Sequence, residues 1–403
     1  MVLIYNILLS IYWLGANVVA IFNKKARLFV SGRLGLFSKM KRLLNEKRGN
    51  QKIVWVHCAS LGEFEQGRPV IEAIKKERPD CQIFLTFYSP SGFEVRKNYE
   101  GVDYVFYLPI DTYWNARKFI GLLQPSAAIF VKYEFWYHYL AELHKKSINT
   151  YLVSALFRKD QGFFKPALSV FYGRMIRCFS TIFVQDQKSV ELLLNVCMKN
   201  VIYAGDTRFD RVVEIAKNPK RMTAIESFTG GHMVLVAGST WGDDETLLVD
   251  LAKRNSELRM VIVPHEIHIH RIKELQTKLG RPSVCFSAVA GGEVDILNYQ
   301  YIIVDSMGYL SSLYKLATYT YIGGGFGAGI HNTLEAAVYG KPVIFGPNYE
   351  KFREARDLVE CGGAFSISSE NELEKIISRL SKDAEYYMNV CNASRNYVMQ
   401  NTG

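Results

Sequence analysis

Short, continuous apolar runs alternate with amphipathic stretches along most of the chain, and this rhythm occurs twice. Runs of four to eight residues are typical of strands buried on both faces, and strands of this kind separated by helices predict a parallel sheet covered on both sides. The first series comprises Ile53–His57, Ile83–Phe87, Tyr104–Leu108, Ala127–Val131, Thr150–Val153 and Thr181–Val184, and the second comprises Met233–Ala237, Met260–Val263, Tyr301–Val304, Thr318–Ile322 and Pro342–Phe345. We therefore expect an α/β fold of two Rossmann-like, doubly wound domains.

The length of 403 residues agrees with this division, since a single hydrophobic core stops growing well below that size. We place one domain over residues 51–215 and the other over residues 216–385, with a carboxyl-terminal tail over residues 386–403. Pro219 and the glycine pair at residues 230–231 mark the connecting region 207–229.

The segments before the first domain predict a membrane anchor. Residues 1–22 are almost wholly apolar and uncharged, and as a helix they would measure about 33 Å, enough to cross the hydrocarbon core. A basic juxtamembrane segment follows over residues 23–50, with nine cations and one acid, Glu46. A secretory signal has the reverse order, so the basic flank predicts that the next domain stays in the cytoplasm. The helix either spans the membrane or lies in its interface or on the first domain.

Composition excludes several classes of protein. Basic charge beside an apolar segment indicates membrane lipids as partners, and not a nucleic acid. The seven cysteines are scattered without a C-x-x-C pair, which is typical of reduced thiols. The histidines at 265, 268 and 270 do not have the H-E-x-x-H spacing, so no metal is expected.

In open parallel sheets, ligands bind beyond the carboxyl ends of the strands. Polar residues and glycines concentrate at these places in both halves of the chain, and we expect them to converge on one cleft between the domains. Those after the first series include Ser60, Gly62, Glu63 and Glu134, and those after the second include Ser239, Pro264, His265, Met307, Gly308 and Gly324.

Two acids in the first half are candidate catalytic residues. Ser60 and Glu63 have the spacing of a capping box, but Glu63 could equally be a base, and Gly62 favours this because a plain helix start has no need of a poor helix former. Glu134 lies among aromatic residues at a strand end, where a carboxylate needs a partner. It is either a catalytic acid or a buried carboxylate bound to the amides of the next helix.

A glycine-rich turn, Gly323–Gly329, precedes a predicted helix over His331–Tyr339. Glycines allow the backbone to approach a ligand, and a helix start offers amides to phosphate. A dinucleotide fingerprint would need an acid about 20 residues further on, where Val343–Gly346 stands, so neither a nicotinamide nor a flavin cofactor is expected. Glu335 is either a ribose ligand or a solvated helix acid.

Several motifs together resemble those of the 3-deoxy-D-manno-octulosonate (Kdo) transferases, a family of inverting glycosyltransferases with the GT-B fold. The resemblance runs from the anchor to about residue 390, and its carriers are Ala59–Glu63, Tyr133–Trp136, Ala204–Asp210, Gly238–Thr240, Asp305–Gly308, Gly323–Phe326 and His331–Glu335. It implies transfer of Kdo from CMP-Kdo to a lipid A precursor, lipid IVA, in lipopolysaccharide synthesis at the cytoplasmic face of the inner membrane, without a metal ion.

The resemblance also implies roles for individual residues. Glu63 matches the catalytic base of the family, and Glu134 matches a second essential acid. The positions expected to bind CMP-Kdo are Ser239, Pro264, His265, Met307, Gly308, Gly324, Asn332 and Glu335, and those expected to bind the acceptor are Ser60, Gly62 and Arg158.

The chain departs from the family pattern at His265, where arginine is usual, and at Tyr309, where glutamate is common. Two other functions fit the same features. One is a GT-B transferase that uses a UDP-sugar, similar to a lipid A disaccharide synthase, and the other is a non-catalytic, membrane-tethered protein that binds a sugar nucleotide.

Overall fold

The computed structural model describes residues 1–47, 49–196, 198–280, 282–290 and 294–403. Arg48 of the basic segment and Cys197 lie outside the described residues. The chain divides into two compact units, residues 1–211 with Gly403, and residues 212–402. Each unit contains one parallel sheet with helices between its strands, which confirms the predicted fold class.

The first unit contains a seven-stranded parallel sheet in the order β3-β2-β1-β4-β5-β6-β7. Its central strands are buried along nearly their whole length, which explains their continuous apolar sequence. The strands are β1 Lys52–Cys58, β2 Cys81–Phe87, β3 Tyr104–Tyr107, β4 Ala127–Val131, β5 Asn149–Ala155, β6 Thr181–Val184 and β7 Val201–Tyr203. Six were predicted, and β7 is an addition at the edge.

The helices up to the second sheet include three before β1 and two in the predicted connecting region. They are α1 Val2–Val19, α2 Lys24–Ser31, α3 Leu36–Lys47, α4 Leu61–Glu77, α5 Pro90–Arg96, α6 Tyr113–Leu123, α7 Tyr137–Lys145, α8 Pro166–Ile176, α9 Gln187–Asn195, α10 Thr207–Lys217 and α11 Thr223–Thr229.

The second unit repeats the architecture with a parallel sheet in the order β10-β11-β9-β8-β12-β13-β14. Its strands are β8 Val234–Thr240, β9 Arg259–Pro264, β10 Ser283–Cys285, β11 Tyr301–Ile303, β12 Tyr319–Ile322, β13 Val343–Phe345 and β14 Ala364–Ser366. Its helices are α12 Gly242–Arg254, α13 Ile269–Leu279, α14 Phe286–Ala290, α15 Leu310–Leu316, α16 Leu334–Ala337, α17 Arg353–Glu360, α18 Glu370–Lys382 and α19 Ala384–Gln400. Most of the segment assigned to the tail is therefore helix α19, whose Val398 is fully buried.

Helix α1 packs along the first unit through one face. Its Tyr5 hydroxyl donates to Asp111 Oδ2 at 2.6 Å, and Asn6 Oδ1 lies 2.7 Å from His138 Nε2. The opposite face is apolar and exposed, with Leu8 and Ile11 about 60% accessible. By length and composition α1 could cross a membrane. These contacts dock one face of α1 on the first unit, and whether the helix spans a membrane or lies in its interface stays a prediction.

One of the predicted juxtamembrane cations is a structural residue. Arg33 donates to the backbone carbonyls of Phe29, Tyr88 and Leu108 at 2.7, 2.8 and 2.9 Å. Burial lowers the pKa of its guanidinium to about 10. Arg33 therefore ties α2 to the loops after β2 and β3, because the planar guanidinium offers several donors in fixed directions.

Replacement of Asp111 tests this docking region. Burial raises the pKa of Asp111 to about 6, although Tyr5 and the backbone N–H groups of His138 and Tyr139 donate to it. Its unfolded value is about 3.9, so the stability that its protonated form contributes is present below pH 4 and lost as the pH rises through 6. In urea titrations from pH 4.5 to 7.5, wild type should therefore lose about 2 kcal/mol relative to Asp111→Asn. If stability depended on pH in the same way in wild type and Asp111→Asn, Asp111 would not be the buried titrating group. Glu100→Gln, at the surface, is the control.

Candidate active site

Both acids singled out in the first half follow neighbouring strands at the switch point of the first sheet. Strands β2 and β3 lie on one side of β1, and β4 to β7 lie on the other. At such a point the connections diverge and leave a crevice beyond the strand ends. Glu63 lies in the first turn of α4, after β1, and Glu134 lies three residues after β4. The two carboxylates therefore lie at the same edge of the sheet.

The Ser60–Glu63 pair differs from a capping box. Ser60 is the N-cap of α4, as that motif requires, but its side chain accepts no backbone N–H. Its hydroxyl instead donates to Glu63 Oε2. The contact fixes the carboxylate near the strand end while the side chain stays partly accessible, so Glu63 can still meet a ligand.

Glu134 is nearly buried and has two partners. Its Oε2 accepts from Trp136 Nε1 at 2.7 Å and lies 3.2 Å from His57 Nε2. The expectation that this acid needs a partner is correct, but the partners are an indole and an imidazole, and not the amides of the next helix. Glu134 also lines a cavity of about 420 Å³ with Tyr133, Phe135 and residues of α1 and α8.

His57, which ends the first predicted strand, is a site residue to which the sequence analysis assigned no individual role. It is fully buried in β1, and its Nδ1 lies 2.9 Å from Thr86 Oγ1, which also accepts from Trp55 Nε1. A consistent set of hydrogen bonds has Thr86 donating to Nδ1 and the Nε2–H of His57 donating to Glu134. The signal that could have revealed it was a lone histidine in an apolar strand.

The thiol of Cys58 lies among these acids and is not a nucleophile. Burial raises its pKa well above the usual value, and the charges of Glu63 and Glu134 raise it further. Since only the thiolate is strongly nucleophilic, Cys58 is an apolar core residue. Because both glutamates raise the pKa of the Cys58 thiol, both lie near the end of β1.

The predicted acceptor residue Arg158 is exposed in the loop after β5. Burial raises the pKa of Tyr133, and the positive charge of Arg158 opposes this rise. The guanidinium is therefore close enough to Tyr133 to act on it, and Tyr133 is next to Glu134 in the chain.

The second sheet has its switch point between β8 and β12, where Ser239 and the glycine turn lie. A Cβ at Gly323 would collide with the Ser239 carbonyl, and one at Gly324 would collide with that of Gly329. These glycines thus allow the turn to pack against its own backbone and the end of β8. Asp244 then holds the turn, since it accepts from Gly324 N at 2.9 Å and from Tyr321 Oη at 2.7 Å.

Three rings form a stack beside this turn. The His265 ring stacks on Trp241 at 4.6 Å and on His331 at 4.4 Å between centroids, with the planes inclined by 28° and 23°. Trp241 Nε1 donates to His331 Nε2 at 3.1 Å, so His331 is neutral in this geometry. Burial lowers the pKa of His331, and the charge of His265 lowers it further. His265 is exposed and Pro264 is buried.

The helix predicted over residues 331–339 is wrong in its length, because α16 covers only Leu334–Ala337. Asn332 Oδ1 accepts from Leu334 N, and His331 N donates to the Gly323 carbonyl. The chain therefore turns before the helix begins. Asn332 Nδ2 also donates to Glu335 Oε1 at 3.0 Å. Glu335 is therefore partnered and partly buried, and the alternative of a solvated helix acid is wrong.

Met307 and Gly308 form an exposed turn after β11. Gly308 has a φ of +84°, and Met307 is 81% accessible. Lys220 Nζ lies 4.5 Å from the centroid of the adjacent Tyr309 ring. A cation thus lies beside the position where glutamate is common in the family, and no local pattern could have predicted this contact because Lys220 is 89 positions away.

Comparison with known proteins gives these features a context. A family model described as "3-Deoxy-D-manno-octulosonic-acid transferase (kdotransferase)" matches residues 30–211. The 3-deoxy-D-manno-octulosonic acid transferase of Aquifex aeolicus is 29% identical over 336 residues, which cover 81% of this chain and 85% of that one. The enzyme of the same name from Haemophilus influenzae is 25% identical over 364 residues, with 87% and 84% covered.

Solved structures share the fold. UDP-GlcNAc 2-epimerase from Neisseria meningitidis superposes with a TM-score of 0.60 at 15% identity, over 87% of this chain and 97% of that one. A glycosyltransferase from Rickettsia africae superposes with a TM-score of 0.53 at 11% identity, over 88% and 95%. The two Rossmann-like units have the GT-B fold, and the relatives of the chain are glycosyltransferases. Over most of its length the chain is similar to the Kdo transferases, the family that its motifs suggested.

Asp244 provides a test of how the glycine turn is held. Its carboxylate also accepts from the partly buried Trp241 N at 2.9 Å, so Asp244→Ala leaves two buried donors, Tyr321 Oη and Gly324 N, without an acceptor. We expect the free energy of unfolding to fall by about 2–6 kcal/mol, at 1–3 kcal/mol for each of these two groups. Asp244→Asn retains an acceptor oxygen and should lose less. Denaturant titration measures both, and a loss below about 1 kcal/mol for alanine would disprove this role.

Proposed function

We propose that the chain transfers Kdo from CMP-Kdo to lipid IVA, a lipid A precursor, at the cytoplasmic face of the inner membrane during lipopolysaccharide synthesis. The observation that carries the proposal is the pair of carboxylates, Glu63 and Glu134, at the switch point of the first sheet. The names of the relatives and the motifs that the chain shares with the family support the choice of sugar.

Glu63 is the base in this proposal. It takes the proton from an acceptor hydroxyl, whose oxygen attacks the anomeric carbon of Kdo, and the bond to CMP breaks with its electrons going to the phosphate. The attack comes from the face opposite the leaving group and inverts the configuration. The partial accessibility of Glu63 and its contact with Ser60 support this role, and Gly62 leaves room beside the reacting hydroxyl.

Glu134 orients the acceptor. Its hydrogen bonds to His57 and Trp136 hold it at the wall of an aromatic cavity, which suits the apolar faces of a sugar ring. Arg158, near Tyr133, would pair with an acidic group of the same acceptor.

The second unit binds the donor. We assign Asn332 and Glu335 to the ribose, and Ser239, Pro264, Gly324, Met307 and Gly308 to the rest of the CMP-sugar. Two buried hydroxyls beside these positions, on Ser306 and Thr333, have no hydrogen-bond partner within the described parts of the chain. Buried polar groups are rarely left so, and a bound nucleotide would supply what they lack.

His265 stabilises the departing phosphate. A protonated imidazole on the face of Trp241 gains from the ring quadrupole and can donate to a phosphate oxygen. His331 cannot share this task while its Nε2 accepts from Trp241. Because α16 has only four residues, the helix start contributes less than the sequence suggested.

Helix α1 holds the enzyme at the membrane. Its outward face is apolar, and the cations of the following segment suit the acidic lipid surface and the phosphates of the acceptor.

The test of the base is Glu63→Gln, which removes the charge and keeps the shape. Transfer from CMP-Kdo to lipid IVA should fall at least 100-fold, since general bases contribute about 10²–10⁴ in rate. CMP should bind as in wild type by isothermal calorimetry. Normal turnover by the variant would refute the role of Glu63.

The nucleotide that the protein binds distinguishes a Kdo transferase from a transferase that uses a UDP-sugar and from a non-catalytic binding protein. CMP should raise the melting temperature of the wild type and UDP should not, whereas a transferase that uses a UDP-sugar would show the reverse. A protein that only binds the sugar nucleotide would be stabilised by CMP without any turnover of CMP-Kdo.

His265→Arg tests the phosphate contact. A guanidinium keeps a charged donor at position 265, whereas alanine removes it. The KM for CMP-Kdo should therefore stay near the wild-type value in His265→Arg and rise about tenfold in His265→Ala, as expected for loss of one charge-assisted hydrogen bond worth about 1.5 kcal/mol. His268→Ala, an exposed change on the same loop, is the matched control, and an unchanged KM in His265→Ala would exclude His265 as the phosphate ligand.

A further inference from the structure

An apolar groove of about 530 Å³ lies between α1, α2 and the loop after β2. Its walls are formed mainly by Tyr12, Gly15, Val19, Phe29 and Tyr88. Lys25 lines it as well, and no acidic side chain of the described residues does. The groove is large enough for a small ligand and is suited to a hydrocarbon with a negative charge nearby.

The groove has fixed walls. Arg33 donates to the carbonyls of both Phe29 and Tyr88, and its guanidinium lies 3.9 Å from the centroid of the Phe29 ring. Phe29 and Tyr88 meet edge to face at 5.2 Å between centroids. The two aromatic walls are therefore held by Arg33, a partly buried cation that has no role in the proposed chemistry.

One wall of the groove adjoins both proposed catalytic acids. The Tyr88 ring packs on Trp136 at 4.5 Å, and Trp136 donates to Glu134. The backbone N–H groups of Tyr88 and Ser89 both donate to the Ala59 carbonyl, one residue before Ser60. A molecule held in the groove is thus close to the loop that carries Glu63.

The outward face of α1 indicates what fills the groove. Gly15 and Val19 line the groove and are exposed, and they are neighbours of Leu14 and Val18 on the apolar face of the helix. The opening therefore lies where the helix would meet hydrocarbon, and from Tyr12 to Val19 it extends about 10 Å along the helix axis.

We propose that this groove binds one acyl chain of the glycolipid acceptor and so places its sugar at Glu63. The inference rests on the proposed function, since it takes the acceptor to be an acylated sugar. Lys25 at the groove pairs with a phosphate of the same molecule, whose negative charge the groove itself does not repel.

Gly15→Trp tests the proposal by filling the groove. A Cβ at Gly15 has no atom within 4 Å, so the change fits the fold, and it replaces a poor helix former. The ratio of kcat/KM for the acylated acceptor to that for its deacylated counterpart should fall about tenfold. Leu14→Trp, on the outward face of the same helix, should keep the wild-type ratio. An unchanged ratio in Gly15→Trp would overturn the proposal.

Two further measurements identify the source of any effect. The first is the affinity for acylated lipid IVA in detergent, measured by equilibrium dialysis, which should weaken about tenfold in Gly15→Trp. This expectation does not depend on turnover: if the wild type binds the lipid but transfers no Kdo, only the proposed function fails. Sedimentation with phosphatidylethanolamine–phosphatidylglycerol vesicles should be the same for both variants and wild type. If only vesicle binding weakens, the groove holds a bulk phospholipid chain and the proposal is wrong.

Discussion

Burial of both faces of each parallel sheet is the constraint on which the rest of the structure depends. Strands covered on both sides have no place for unpaired polar groups, so reactive side chains concentrate where the strands end. In the first unit this places Glu63 and Glu134 after adjacent strands, and in the second it places Ser239 and the glycine turn in the same way. His57 is the exception, since it lies within β1, and its two ring nitrogens are both partnered there.

Polar residues buried beside the strand ends hold the candidate site in place. His57 and Trp136 fix Glu134, Ser60 contacts Glu63, and Asp244 ties the glycine turn to α12. Each of these contacts restricts a rotamer or a loop before any ligand arrives, which lowers the entropy that binding would otherwise cost. The site in each unit is therefore preorganised by side chains that would not themselves react.

The segment before β1 has two kinds of residue that the sequence pattern did not separate. Arg33 belongs to the basic run but packs, partly buried, against aromatic rings, whereas Lys25 remains exposed beside the groove. Tyr5 and Asn6 interrupt the apolar helix and serve as its polar contacts with the first unit. The exposed apolar side and the protein-facing side of α1 thus follow from where its polar side chains find partners.

Local patterns of residues predicted the two parallel sheets and the strand ends at which Glu63, Glu134 and the glycine turn lie, because continuous apolar runs and the turn residues between them are local features of the chain. The sequence also indicated the family, through motifs that are contiguous. Only the tertiary structure decided that His57 meets Glu134 across 77 positions, that α16 is four residues long, and that Lys220 lies beside Tyr309. Contacts of this kind depend on which strands become neighbours and which loops pack together, and no local pattern of residues records that choice.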